Sequence, residues 1–140
     1  MYGTLNQQQK PAVDDILLAV RSSNHNQNRA FAVIGPGGCG KTLVYKCVTD
    51  ILRKEGKIVL PVATSGIAAC LLPGGITAHS QFKIPIPIHK NSTCFVQNNS
   101  TQWNALKNCD LIVWDEAPMA HGHAFESVDR LLKDLSLIHI

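Results

Sequence analysis

The sequence predicts an α/β domain built on a parallel sheet, and three observations predict it. Short apolar runs at Phe31–Ile34, Ile58–Ala63 and Leu111–Trp114 alternate with stretches of helical periodicity. A glycine-rich loop, Gly35-Pro-Gly-Gly-Cys-Gly40-Lys41-Thr42, joins the first run to a helical pattern. The third run ends in two adjacent carboxylates, Asp115 and Glu116. Strands joined by helical crossovers pair in parallel, with helices on both faces of the sheet. Ligands of such sheets bind beyond the carboxyl ends of the strands, and both motifs fall there.

Each element has its own warrant. Val13, Ile16, Leu17 and Val20 recur at helical spacing. The start of that helix has two solutions. Asn6 is a good N-cap, but Pro11 would then sit five residues in; a start at Pro11 itself suits proline better. Residues 22–28, SSNHNQN, read as a polar loop. Val44, Cys47, Val48 and Ile51 mark a second helix, with Gly56 as its C-cap. Ile58–Ala63 reads as a strand in which Pro61 argues for an edge or a bend. Leu111–Trp114 follows a long stretch rich in Pro, Asn, Ser and Thr. Phe125, Val128, Leu132 and Leu135 then mark a final helix.

Composition sets the class. With 140 residues, 45% hydrophobic and 16% charged, the chain has the material for about one domain with a buried core. No apolar run reaches the roughly 18 residues of a membrane span, and the N-terminus carries no signal-peptide pattern. The five cysteines, Cys39, Cys47, Cys70, Cys94 and Cys109, are odd in number and form no C-x-x-C pair. That argues against a disulfide framework and a zinc site, and suits a reducing compartment. His121 and His123 lie two apart, which on a helix would put them on different faces.

The loop Gly35–Thr42 satisfies G-x-x-x-x-G-K-[ST]. Chance gives this pattern in under about one in a hundred chains of this length, so it carries weight. Gly35, Gly37, Gly38 and Gly40 let backbone N–H groups turn inward around phosphate oxygens, and Cys39 adds one more amide. The helix beginning near Lys41 points its positive end at the same anion. Lys41 reaches the terminal phosphates, and the Thr42 hydroxyl is a ligand for Mg²⁺. Adjacent anions at the mouth of an apolar strand call for a cation. Asp115 fits the Mg²⁺ partner, and Glu116 fits the group that orients or deprotonates the attacking water. No N-K-x-D guanine-reading sequence is present, which favours ATP.

The net charge of +3 is unevenly placed. Residues 64–109 hold Lys83, Lys90 and Lys107 and no acid, so the whole excess sits in one segment. It can line a path for an anion or be an ordinary polar loop. Thr64, Ser65, Thr77, His79, Ser80 and Lys83 suit phosphate oxygens, although hydroxyls after a strand also cap helices. Phe82 and Trp103 can stack on a base or belong to the core.

Four stretches resemble the petite-integration-frequency (PIF-type) branch of superfamily-one DNA helicases, including forms related to Helitron transposons. They are Leu5-Asn-x-x-Gln9; Gly35–Thr42; Ala63–Gly75 with Thr77–Ile86; and Asp115-Glu-Ala-Pro-Met119 with the helix after it. The resemblance runs from about Leu5 to Leu135. It implies a RecA-like P-loop fold, with residues 1–135 as the first ATP-binding domain. It implies Gln9 on the adenine edge, with an amide that donates and accepts at once. It also implies ATP and Mg²⁺ as cofactors, and Thr64, Ser65, Thr77, His79 and Lys83 on single-stranded DNA. The activity implied is ATP hydrolysis coupled to 5′-to-3′ movement, serving repair, recombination and telomere upkeep in the nucleus, with the mitochondrion as an alternative compartment.

The sequence also departs from that pattern. Ile76 and Gly122 stand where relatives commonly carry arginine. The family's glutamine sensor, completing arginine and second RecA-like domain are expected beyond Leu135. On that reading these 140 residues bind Mg-ATP at most and do not unwind DNA. Residues 136–140, SLIHI, are set apart as a non-native tail. A non-catalytic ATP-binding regulatory module is the alternative function.

Overall fold

The structure, a computed structural model, describes residues 2–22, 31–33 and 40–137. It divides into two compact units, residues 1–59 and 60–140.

In the first unit, α1 (Gln9–Arg21) packs on α2 (Lys41–Lys54). Val13, Ile16 and Leu17 are buried on α1, and Val44, Cys47, Val48 and Leu52 on α2, at the spacing that puts one face of a helix inward. Asn6 decides where α1 starts. Its side chain accepts from the Gln8 and Gln9 amides at 2.9 and 2.8 Å, while Gln9 Oε1 accepts from the Asn6 amide at 2.9 Å. This reciprocal capping box overrides the proline, and Pro11 sits in the first turn of the helix rather than opening it. At the other end α2 closes on Gly56, with φ at +81°. The Gly56 amide bonds the Arg53 carbonyl and the Lys57 amide the Leu52 carbonyl, a Schellman ending. An Arg21–Glu55 ion pair joins the two helix ends. The strand expected at Phe31–Ile34 is not borne out over its described part. Phe31–Val33 lies outside any strand and Phe31 is 47% exposed, since an apolar run without a ladder partner gains nothing from being extended. Ile34 lies outside the described residues.

Among the described residues the sheet has three strands in the order β2-β1-β3, where β1 is Val59–Ala63, β2 Ile76–Thr77 and β3 Leu111–Asp115. β1 and β2 pair in parallel through Val62–Ile76 and Ala63–Thr77. Pro61 therefore lies in the middle strand, not at an edge. The two-residue β2 reaches only Val62 and Ala63, so on that side Pro61 is asked for no ladder hydrogen bond.

Between the strands of the second unit run α3 (Gly66–Leu71), α4 (Ala78–Phe82) and α5 (Thr101–Asn108), and α6 (Gly122–Leu137) follows β3. Their core joins Val62, Ala78, Phe82, Ile84, Trp103, Leu106, Val128 and Leu131. Phe82 is fully buried and Trp103 is 7% exposed, so neither is a base-stacking surface. Phe82 lies 5.6 Å from the Trp114 ring, which lies 4.5 Å from Phe125. Phe82→Ala should cost about 3–5 kcal/mol of stability, a large part of a domain's total. Urea unfolding measures it, and a loss under about 1 kcal/mol would contradict this packing.

His121 and His123 stack at 4.7 Å, contrary to the separation expected on a helix. His121 precedes α6, and its Nδ1 accepts from the His123 amide at 3.1 Å. The four described cysteines are free, and burial pushes the Cys109 thiol up to about 11. Among the described residues no helix is long and apolar enough to cross a membrane.

Candidate functional site

The first unit presents the end of the glycine loop. Gly35, Gly37, Gly38 and Cys39 lie outside the described residues. Gly40 is described, with φ at +84° and ψ at +23°, a left-handed conformation that favours glycine. A Cβ there would also meet Gln9 Nε2 and push the Gln9 side chain aside. That same nitrogen donates to the Gly40 carbonyl at 3.4 Å. Gln9, which the family resemblance puts on a base edge, is a brace between the start of α1 and the last loop glycine. Lys41 and Thr42 are the first two residues of α2, half-buried, at the helix end whose dipole favours an anion.

The second unit presents the acidic pair. Asp115 is the last residue of β3, and its Oδ1 accepts from the Glu116 amide at 2.9 Å. Glu116 has φ at +57° and ψ at +30°, which costs a non-glycine residue about 1–3 kcal/mol and persists only where neighbours enforce it. The neighbours are the two residues after β1. Thr64 Oγ1 donates to the Glu116 carbonyl at 2.8 Å and accepts from Trp114 Nε1 at 3.1 Å. Ser65 Oγ donates to Glu116 Oε2 at 2.6 Å and accepts from the Ala68 amide at 3.2 Å, capping α3. The Thr64 amide bonds the Asp115 carbonyl at 3.2 Å, which extends the β1–β3 pairing to the acids.

The remaining candidates lie on β2 and α4. Thr77 caps α4, its hydroxyl accepting from the Ser80 amide at 3.2 Å. His79 is half-buried on α4, and Lys83 is exposed at its end with φ at +53°. Sequence reasoning missed the bonds from Thr64 and Ser65 to Glu116. The signal lay in the strand order, because adjacent parallel strands bring together the residues that follow them.

A Mg²⁺ carried by nucleotide phosphates takes only one or two protein oxygens and fills its shell with phosphate and water. Asp115 and Thr42 fit that demand by chemistry, one a carboxylate with acceptor capacity beyond its bond to the Glu116 amide, the other a hydroxyl at a helix start. Among the described residues no three His, Cys, Asp or Glu side chains converge on one point, as a cage made only of protein would need.

Comparison with known proteins identifies a family. The PIF1-like helicase family matches residues 4–138. The ATP-dependent DNA helicase PIF1 of Trypanosoma brucei brucei is 30% identical over 100 residues, 71% of this chain and 10% of that protein. The PIF3 helicase of the same organism is 30% identical over 97 residues, 68% of this chain and 11% of its own length. The chain thus spans about a tenth of the curated relatives it matches. Among solved structures, Bacteroides Pif1 bound to single-stranded DNA is 31% identical, with a TM-score of 0.59 over 70% of this chain and 22% of that one. A Pif1 structure concerned with unwinding at forked duplex DNA is 27% identical, with a TM-score of 0.74 over 94% of this chain and 29% of that one.

Proposed function

Since the chain belongs to the PIF1-like helicase family, we propose that it carries the nucleotide-binding first domain, RecA-like over residues 1–135, of an ATP-dependent DNA helicase. The observation that carries this reading is the loop ending: a left-handed Gly40 braced by Gln9, with Lys41 and Thr42 opening a helix directly after it. In this reading Lys41 neutralises the terminal phosphates, Thr42 and Asp115 serve Mg²⁺, and Glu116 activates water. Mg²⁺ supplies charge neutralisation at the phosphates when bound. The protein's own contribution is to orient the phosphates with backbone amides and to hold a base at Glu116.

The partner in this reading is single-stranded DNA, taken by Ser65, Thr77, His79 and Lys83 in the segment that begins at Thr64, with 5′-to-3′ movement. The single-stranded-DNA complex of the Bacteroides relative supports the choice of ligand. Repair, recombination and telomere maintenance are the processes such a motor serves. The nucleus is its compartment, with the mitochondrion as the alternative.

Binding of a labelled oligothymidylate across a salt series tests the DNA half of the proposal. Lys83→Ala should weaken binding and reduce the slope of log K against log salt by about 0.7, the signature of one lost phosphate contact on a single strand. Tight Mg-ATP binding with no oligothymidylate binding at any salt would instead favour a nucleotide-binding regulatory module.

A further inference from the structure

Ser65 has one hydroxyl proton, and the structure shows where it goes. It is given to Glu116 Oε2 at 2.6 Å, while the oxygen accepts from the Ala68 amide at 3.2 Å. Thr64 beside it donates to the Glu116 carbonyl at 2.8 Å and takes the Trp114 indole N–H at 3.1 Å. Two consecutive hydroxyls thus hold both the main chain and the carboxylate of one residue. A hydroxyl has a single donor proton. Given to a carboxylate, it cannot also be given to a DNA phosphate oxygen, the acceptor that positions a nucleic-acid backbone.

We infer that Ser65 is a latch, a positioning residue whose proton rests either on Glu116 or on the backbone of bound single-stranded DNA, never on both. The inference rests on the functional reading above and adds its regulation. While Glu116 Oε2 accepts the Ser65 proton, that oxygen is tied to Ser65 and is not turned toward a water. DNA on the Thr64–Lys83 segment therefore releases the base that activates water. No covalent bond changes in the switch; one hydrogen bond is exchanged for another. The backbone of Glu116 stays fixed by Thr64 Oγ1 and Asp115 Oδ1, so only its side chain moves. Linkage makes the effect reciprocal: whatever loosens the bond on the Glu116 side must tighten DNA on the Ser65 side.

A double-mutant cycle on DNA binding tests this on the 140-residue chain without nucleotide. The probe is a fluorescein-labelled oligothymidylate of about twelve nucleotides. Glu116→Gln replaces a charged acceptor with a weaker neutral one, and should tighten oligothymidylate binding about fivefold. In a Ser65→Ala background the shared proton is gone, and Glu116→Gln should leave the affinity unchanged. Ser65→Thr, which keeps both hydroxyl and cap, should restore the tightening. Should Ser65→Ala lose α3 by circular dichroism, Ser65→Gly repeats the cycle, since glycine at an N-cap costs only a few tenths of a kcal/mol. Equal tightening with and without the Ser65 hydroxyl would mean a plain charge effect. It would overturn the latch and leave the functional reading standing. No oligothymidylate binding by the unmutated chain would overturn both.

Discussion

Replacing Lys41 with alanine should raise the dissociation constant for Mg-ATP roughly a hundredfold, the cost of one charge-assisted contact to a phosphate. The substitution isolates chemistry from folding. Lys41 is the first residue of α2, and alanine is the best helix former, so the helix should persist. Gly40 keeps its left-handed turn and Gln9 its brace, because both depend on backbone and on the capping box at Asn6. Calorimetric titration of the two chains measures the difference. Equal affinity would mean that the loop is a glycine-rich turn with no role in phosphate binding.

Glu116→Gln should have the opposite signature, with Mg-ATP binding retained and hydrolysis reduced about 10²- to 10⁴-fold, the usual contribution of a general base. Glutamine keeps the shape and can still accept from Ser65, so the local structure should survive. The assay belongs in a chain that carries the family's completing arginine, because in P-loop ATPases such a residue is worth roughly 10³–10⁵ in turnover. Normal hydrolysis by Glu116→Gln would remove Glu116 from the chemistry and leave its left-handed backbone, at φ +57°, without a functional explanation.

The parts of this molecule visible in its sequence are those governed by short spacing. The Val44, Cys47, Val48 series gives a helix that the structure starts at Lys41, directly after the glycine loop. Leu111–Trp114 followed by two acids is borne out as β3, which extends to Asp115. The misreadings have physical causes. Pro11 argues locally for a late helix start, but the reciprocal Asn6–Gln9 bonds satisfy enough amides to begin the helix earlier. Pro61 argues locally for an edge, but the edge depends on how far the partner strand extends, and a two-residue β2 leaves no periodic trace. Phe31–Val33 has strand composition and no strand. The Ser65–Glu116 bond crosses 51 positions and follows only from strand order, which no local pattern contains. The local pattern at Thr64 and Ser65 leaves phosphate and capping both open, and in the structure both hydroxyls donate to Glu116.

The most direct test of the central claim is a titration of the ¹⁵N-labelled chain with a non-hydrolysable Mg-ATP analogue, followed by amide shifts. The account predicts that Gly40–Val44 and Trp114–Glu116 shift together, along one saturation curve, and that omitting Mg²⁺ weakens the response at Asp115. Shifts confined to Gly40–Val44, with Asp115 and Glu116 silent at saturation, would contradict it. The acids would then have no part in nucleotide chemistry, and the latch on Glu116 would control nothing.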